Sequence, residues 1–127
     1  MHGPKRIRIA FVCVALIALT GCSQKLQQQA ASMTGGNPKR GKTAIVQYGC
    51  SSCHTIPGIR EAKALVGPPL NQIASRTYIA GVMKNTPENM IHWIQDPPHI
   101  DHLTAMPNLH IPEQEVRDIA SYLYTLR

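Results

Sequence analysis

The stretch YGCSSCHTIPG, residues 48–58, places Cys50, Cys53 and His54 within five consecutive positions. Two thiols three residues apart with a histidine directly after them have the spacing of c-type haem attachment. In that arrangement the sulfurs add to the haem vinyl groups and the histidine is placed to bind iron. Two other chemistries use paired cysteines. A zinc site would need a fourth ligand and often a second cysteine pair, whereas the remaining cysteines of this chain are Cys13 and Cys22. A redox dithiol would ordinarily belong to a domain rich in strands and helices. Covalent haem is the favoured reading.

The compartment follows from the start of the chain. Lys5, Arg6 and Arg8 precede an apolar run from Ile9 to Leu19, which closes on Leu19-Thr20-Gly21-Cys22. The run is about half the roughly 20 residues that a permanent membrane helix needs, so it reads as an export signal. Its ending resembles a bacterial lipoprotein signal, which implies cleavage before Cys22 and a diacylglycerol attached to that thiol. Residues 1–21 are therefore expected to be the signal peptide. Cleavage that leaves Cys22 free is the alternative, and an unpaired thiol in an oxidising compartment is unfavourable. Three of the 13 basic side chains lie in the leader and all seven acidic ones lie beyond it. The positive balance of the remainder is modest, which argues against nucleic acid as a partner but suits steering toward an acidic protein.

Residues 22–37 contain SQKLQQQAASMTGGN, poor in large apolar side chains, and are expected to form a flexible tether. The globular part, 38–127, is the size of one small domain, whose core usually needs a disulfide, a metal or a large prosthetic group to complete it. A short helix is expected over 41–48 and another short helical segment after Pro69. A better marked helix begins at Thr86-Pro87-Glu88-Asn89, which offers an N-cap hydroxyl, a proline at the first helical position and an early acidic group. That helix shares Met90, Trp93 and Ile94 on one face and ends at Pro97-Pro98. A terminal helix over 112–126 buries Val116, Ile119, Ala120 and Leu123 at helical spacing, with Ile111 as a weak cap. No long alternating pattern is present, so the fold class is all-α with long ordered loops.

Residues 36–43, GNPKRGKT, match the phosphate-loop pattern G-x-x-x-x-G-K-[ST]. The pattern lacks its context, because no buried strand precedes it and too little chain remains for the corresponding sheet. It reads instead as the end of the tether and the start of a helix.

A haem would supply an apolar surface around which Tyr48, Ile56, Leu65, Leu70, Ile73, Trp93, Ile94, Leu109 and Leu123 could pack, coupling cofactor binding to folding. His54 is the expected proximal ligand through Nε2. Its Nδ1 proton needs an acceptor, for which the Pro68 carbonyl in Gly67-Pro68-Pro69-Leu70 is the specific candidate. Four sulfurs compete for the opposite face. Met33 falls in the tether, while Met83 and Met90 lie near or on a helical stripe. Met106 sits in a loop where backbone can approach the haem, and it is the preferred sixth ligand. His92, His99, His102 and His110 keep a bis-histidine alternative open. Trp93 and Arg76 are candidates for contact with the haem propionates.

With CSSCH, GPPL, MPNL and EVRDIASYLYTL in that order, the chain resembles a class I monohaem cytochrome c. It is most similar to the cytochrome c domain at the C-terminus of subunit II in caa3-type oxidases, over nearly all of Gly41 to Leu126. The resemblance implies short helices and ordered loops around one covalent haem c, with His54 and Met106 as axial ligands and Gly67-Pro68 supporting the histidine. It also raises Arg76 and Trp93 as propionate-side residues and implies electron transfer toward a copper centre. Two departures are visible. The family's Pro-Gly pair and basic residue before the methionine are replaced by Ile100-Asp101-His102-Leu103-Thr104-Ala105. The copper-binding domain and membrane hairpin of subunit II have no counterpart in the sequence, so the lipid on Cys22 would have to supply the attachment.

Two axial ligands leave no open iron position, so the expected role is a one-electron carrier and not an enzyme. Its partners would be redox proteins or a membrane respiratory complex: a dehydrogenase or quinol-oxidising complex on one side, a terminal oxidase or other acceptor on the other. The expected place is the extracytoplasmic face of a bacterial membrane. A fixed subunit of a respiratory complex is one alternative, and a haem-based sensor or small-ligand enzyme is another.

Overall fold

The computed structural model describes residues 21–127, so the expected signal peptide up to Thr20, Cys13 included, lies outside the described residues. Residues 21–34 form helix α1, followed by α2 (Pro38–Gln47), a single 3-10 turn at Cys50–Ser52 and another at Ile73–Ser75. A small hairpin joins β1 (Tyr78–Ile79) to β2 (Met83–Lys84), and α3 (Pro87–Gln95), α4 (Pro97–Ile100) and α5 (Glu113–Leu123) complete the order. The strands pair antiparallel, with Tyr78 opposite Lys84 and Ile79 opposite Met83. This is the mainly helical architecture expected, with one two-residue pair of strands added.

Local chemistry explains where the helices begin. Asn37 caps α2 by accepting from the amides of Lys39 at 2.9 Å and Arg40 at 3.2 Å, and Pro38 occupies the first helical position. The helix therefore starts three residues before the expected Gly41. The same cap answers the phosphate-loop pattern: two amides that would face a phosphate are taken by the chain's own asparagine. Thr86 caps α3 as expected, accepting from the Asn89 amide at 3.2 Å. Pro97 ends α3 but also opens α4, because a missing N–H is harmless in a first turn. Helix α5 is shorter than expected, and Pro112, not Ile111, stands at its cap without a side-chain bond.

The expected flexible tether differs most. Residues 21–34 are helical, consistent with the good helix formers in KLQQQAA, and the C-terminal end of this helix is built into the domain. Ala30 is 1% exposed and Thr34 is 2% exposed. Arg117 donates to the Thr34 carbonyl and Gln114 to that of Gly35, both at 3.2 Å. Among the described residues, no helix is long and apolar enough to cross a membrane.

The core joins α2, α3 and α5 through Ile45, Met90, Ile91, Trp93, Ile94, Val116, Ile119, Ala120 and Leu123. Helices α2 and α5 cross so closely that a Cβ at Gly41 would run into the Asp118 carbonyl, and one at Gly36 into that of Arg117. Beside this crossing Asp118 is buried. It accepts from the Asn37 amide at 2.7 Å, from Arg40 Nε at 2.7 Å and Nη2 at 2.9 Å, and from Gln114 at 3.2 Å. Two expected core residues are not in it: Leu65 is 77% exposed and Leu109 38% exposed, both in loops that run along the surface.

Burial opposes ionisation of Asp118, but the bonds from Arg40, Asn37 and Gln114 and the charge of Arg40 outweigh it and hold the carboxyl below its ordinary value. A carboxyl depressed in the folded state stabilises above the unfolded value, about 3.9, and that contribution is lost as pH falls through the folded value. Thermal melts should therefore show Asp118→Asn less stable than wild type by about 1–3 kcal/mol at neutral pH. The gap should narrow as pH drops below about 4.

Candidate functional site

Helix α2 ends at Tyr48, and Gly49 with φ +70° turns the chain so that Cys50 opens the 3-10 turn. The His54 amide donates to the Cys50 carbonyl at 3.0 Å, which carries both thiols and the imidazole on one tight turn. The chain from 55 to 70 then folds back over this turn. The Gly67 amide donates to the Cys53 carbonyl and the Leu70 amide to the Thr55 carbonyl, each at 2.8 Å, while the Thr55 hydroxyl donates to Ala64 at 3.0 Å. Gly67 consequently lies against the His54 ring, where any Cβ would collide with the imidazole. The next residue supplies the acceptor anticipated from the sequence: His54 Nδ1 is 2.8 Å from the Pro68 carbonyl oxygen. Because that carbonyl can only accept, Nδ1 is the donor in this contact, and in the neutral ring Nε2 is left with the free lone pair.

These residues form one wall of a cavity of about 550 Å³. Cys50, Cys53, His54, Pro68, Arg76, Trp93 and Met106 all line it, together with apolar side chains from α2, α3 and α5 such as Ile45, Ile94 and Leu123. Seven sequence-predicted positions separated by as many as 56 residues are thus gathered at one place, Cys22 being the exception. It is exposed, next to the first of the described residues. Of the competing sulfurs, Met90 and Met106 are in the lining, whereas Met33 and Met83 are not. His54 is the one histidine there among the described residues. Met90 belongs to the buried face of α3, and Met106 comes from the loop between α4 and α5.

Several contributors carried no recognisable signal in the sequence. Asp101 lines the cavity through the loop that departs from the family pattern. Ala80 and Gly81 also line it from the tip of the hairpin, with φ +51° and +78°. Asn85 proves to be a junction: its amide donates to the carbonyls of Ile73 at 2.7 Å and Arg76 at 2.9 Å and accepts from Tyr124 at 2.7 Å. The buried Tyr124 hydroxyl is pushed up to about 12, by burial first and by Glu88 second, so it remains a donor. Arg76 itself donates to the carbonyls of Pro69 at 2.6 Å and Asn71 at 3.0 Å, which fixes its guanidinium at the cavity wall.

The donor set fits a covalent haem. The two thiols are free and adjacent, the histidine is oriented with one nitrogen available, and the lining is mainly apolar. It does not suit the alternatives. Burial pushes the Cys50 thiol up, slightly relieved by its backbone bond and reinforced by Cys53, whereas a redox dithiol needs a depressed thiol. Among the described residues, no group of three or more histidine, cysteine, aspartate or glutamate side chains is placed to hold a metal ion.

Comparison with known proteins agrees. Residues 38–127 match the family model described as Cytochrome c. The chain is 24% identical over 132 residues to cytochrome c oxidase subunit 2 of Alkalihalophilus pseudofirmus, covering 98% of this chain and 36% of that protein. It is 27% identical over 88 residues to the protein of the same description from Bacillus sp. strain PS3, covering 66% and 25%. With that of Bacillus subtilis the identity is 25% over 111 residues, covering 84% and 31%. The chain thus spans between a quarter and about a third of the length of the curated relatives it matches. No solved structure matches it.

Substitution of Gly67 by alanine should force the His54 ring from its place. Overpacking at such a contact costs about 1–3 kcal/mol. The expected result is a lowered melting temperature together with altered paramagnetic resonance g-values of the oxidised haem protein, reporting a turned imidazole.

Proposed function

The chain belongs to the cytochrome c family over residues 38–127, and from that premise we propose that it is a respiratory one-electron carrier anchored to a membrane through a lipid on Cys22. A cytochrome c domain carries covalent haem c and transfers electrons. The observation that supports the finer reading best is the single cavity that gathers Cys50, Cys53, His54 and Met106. In this reading Cys50 and Cys53 would hold the ring, and His54 and Met106 would bind the iron. The Pro68 carbonyl keeps the Nδ1 proton in place and raises the basicity of Nε2. Arg76 and Trp93 face the propionates. Ligation by both side chains would suit the iron to one-electron transfer, and a methionine ligand favours a high reduction potential of the kind used in the later part of a respiratory chain. The similarity to cytochrome c oxidase subunit 2 proteins supports a donor and an acceptor of respiratory type. The exposed position of Cys22, at the end of α1 away from the packed Ala30 and Thr34, is compatible with modification of that thiol.

One observation favours a second reading, that of a fixed subunit in a larger respiratory complex. Helix α1 is bonded to α5 at the Thr34 carbonyl and to Arg127, which donates to Gln29 at 3.2 Å, so the part of the helix from Gln29 onward is held against the domain. Co-purification from native membranes separates the two readings: a stable complex identifies a subunit, and release of the domain alone identifies a carrier.

The exported protein should show covalent c-type bands when reduced and a methionine–iron charge-transfer band when oxidised. Met106→Ala should abolish that band while the haem stays attached. A band that survives the substitution would remove Met106 from the site, and rapid carbon monoxide binding by the wild type would favour a sensor or small-ligand enzyme.

A further inference from the structure

The two lining segments that carry His54 and Met106 are held by different means. On the His54 side, bonds reach 14 residues along the chain, from Gly67 to Cys53 and from His54 to Pro68. On the Met106 side, the loop 101–110 is stitched by its own short side chains. Asp101 Oδ1 accepts from the Leu103 amide at 3.0 Å, Thr104 Oγ1 from the Met106 amide at 3.2 Å, and Asn108 Oδ1 from the His110 amide at 2.8 Å. The Thr104 amide also donates to the Asp101 carbonyl at 3.1 Å. Among the described residues, the hydrogen bonds of this loop reach no further than Pro97, to which the Asp101 amide donates.

Packing adds little between the ends. Ile100 and Met106 are half-buried against the core and Ile111 is 5% exposed, whereas Leu103 is 94% exposed. His110 holds φ +52°, a left-handed conformation disfavoured for a residue with a Cβ, directly where Asn108 closes its turn. Side chains of Asp, Thr and Asn that accept from an amide two residues on shape turns without help from the rest of a fold. Three such braces in ten residues determine where the Met106 backbone lies.

We propose that Asp101, Thr104 and Asn108 are positioning residues that hold the Met106 thioether at the cavity and so set how readily another ligand replaces it. The proposal rests on the reading of Met106 as the sixth ligand. The brace requires an acceptor oxygen at each position and not a charge, so Asp101→Asn, Thr104→Ser and Asn108→Asp keep it, whereas alanine at any of the three removes it.

The test uses the exported, haem-loaded protein and imidazole as the competing ligand. Each alanine variant should bind imidazole about fivefold more tightly than wild type, the effect of losing one ordinary hydrogen bond from the methionine-bound state. The three oxygen-retaining variants should stay within about twofold of wild type. Alanine variants that bind imidazole as wild type does, or an Asp101→Asn variant that behaves as Asp101→Ala, would overturn the proposal. Amide hydrogen exchange on the wild type gives a second, independent reading. The amides of Leu103, Met106 and His110 should exchange more slowly than those of His102, Ala105 and Leu109, and equal rates in the two sets would also overturn it. Failure of the ligand reading itself is distinguishable, since the wild type would then lack the methionine–iron band before any brace is altered.

Discussion

The close crossing of α2 and α5 is the constraint on which the rest of the molecule depends. Gly36 and Gly41 let the backbone of one segment touch that of the other, and Asp118 seals the contact by collecting donors from Asn37, Arg40 and Gln114. With that crossing in place, Ile45 from α2 and Ile119 and Leu123 from α5 face a common cavity, and the chain leaving α2 delivers Cys50 to its edge. A buried carboxylate is unfavourable unless its lone pairs are occupied. Asp118 therefore does more than add one ion pair: it makes the crossing intolerant of alternatives, because any other approach of the two helices would strand the charge.

Much of the site was legible before the fold was known. Cys50, Cys53 and His54 were readable because covalent attachment imposes fixed offsets along the chain, and Pro68 because a ligating imidazole needs an acceptor for its second nitrogen. Helix α3 was readable from Thr86 and Pro87, which carry their own start signal. What the sequence obscured has physical reasons. Asn37-Pro38 is as good a start signal as Thr86-Pro87, but it lies inside a pattern that resembles a phosphate loop. Helix α1 lacks a strong apolar stripe, so its packing through the small Ala30 and the polar Thr34 leaves almost no trace in hydropathy. Leu65 and Leu109 look like core by composition alone, and only tertiary placement exposes them. Asn85 is silent in sequence because its bonds are to carbonyls, which every residue possesses.

The difference between the two cavity walls bears on the role of an electron carrier. An imidazole backed by Gly67 and bonded to Pro68 has little freedom to turn or to leave. A loop built from local turns has fewer ties to the whole, and segments of that kind open at lower free energy than the core. On the proposed ligand set, adjustment would fall to the Met106 loop, while the segment that carries Cys50, Cys53 and His54 stays fixed. The departures from the family pattern, Asp101 through Ala105, fall on the adjustable side.

The helix crossing also orders events in time. Asn37 and Asp118 are 81 positions apart, and closing a loop of that length costs on the order of 4 kcal/mol in chain entropy before the contact repays any of it. The turns at Cys50 and at Met106 need no such closure and can form while the ends are still apart. On chain entropy alone, the attachment motif and the methionine loop can be shaped locally before the two ends meet. Attachment of the cofactor fits naturally into that interval: the cysteines are accessible, and the apolar ring gives both ends a common surface on which to condense.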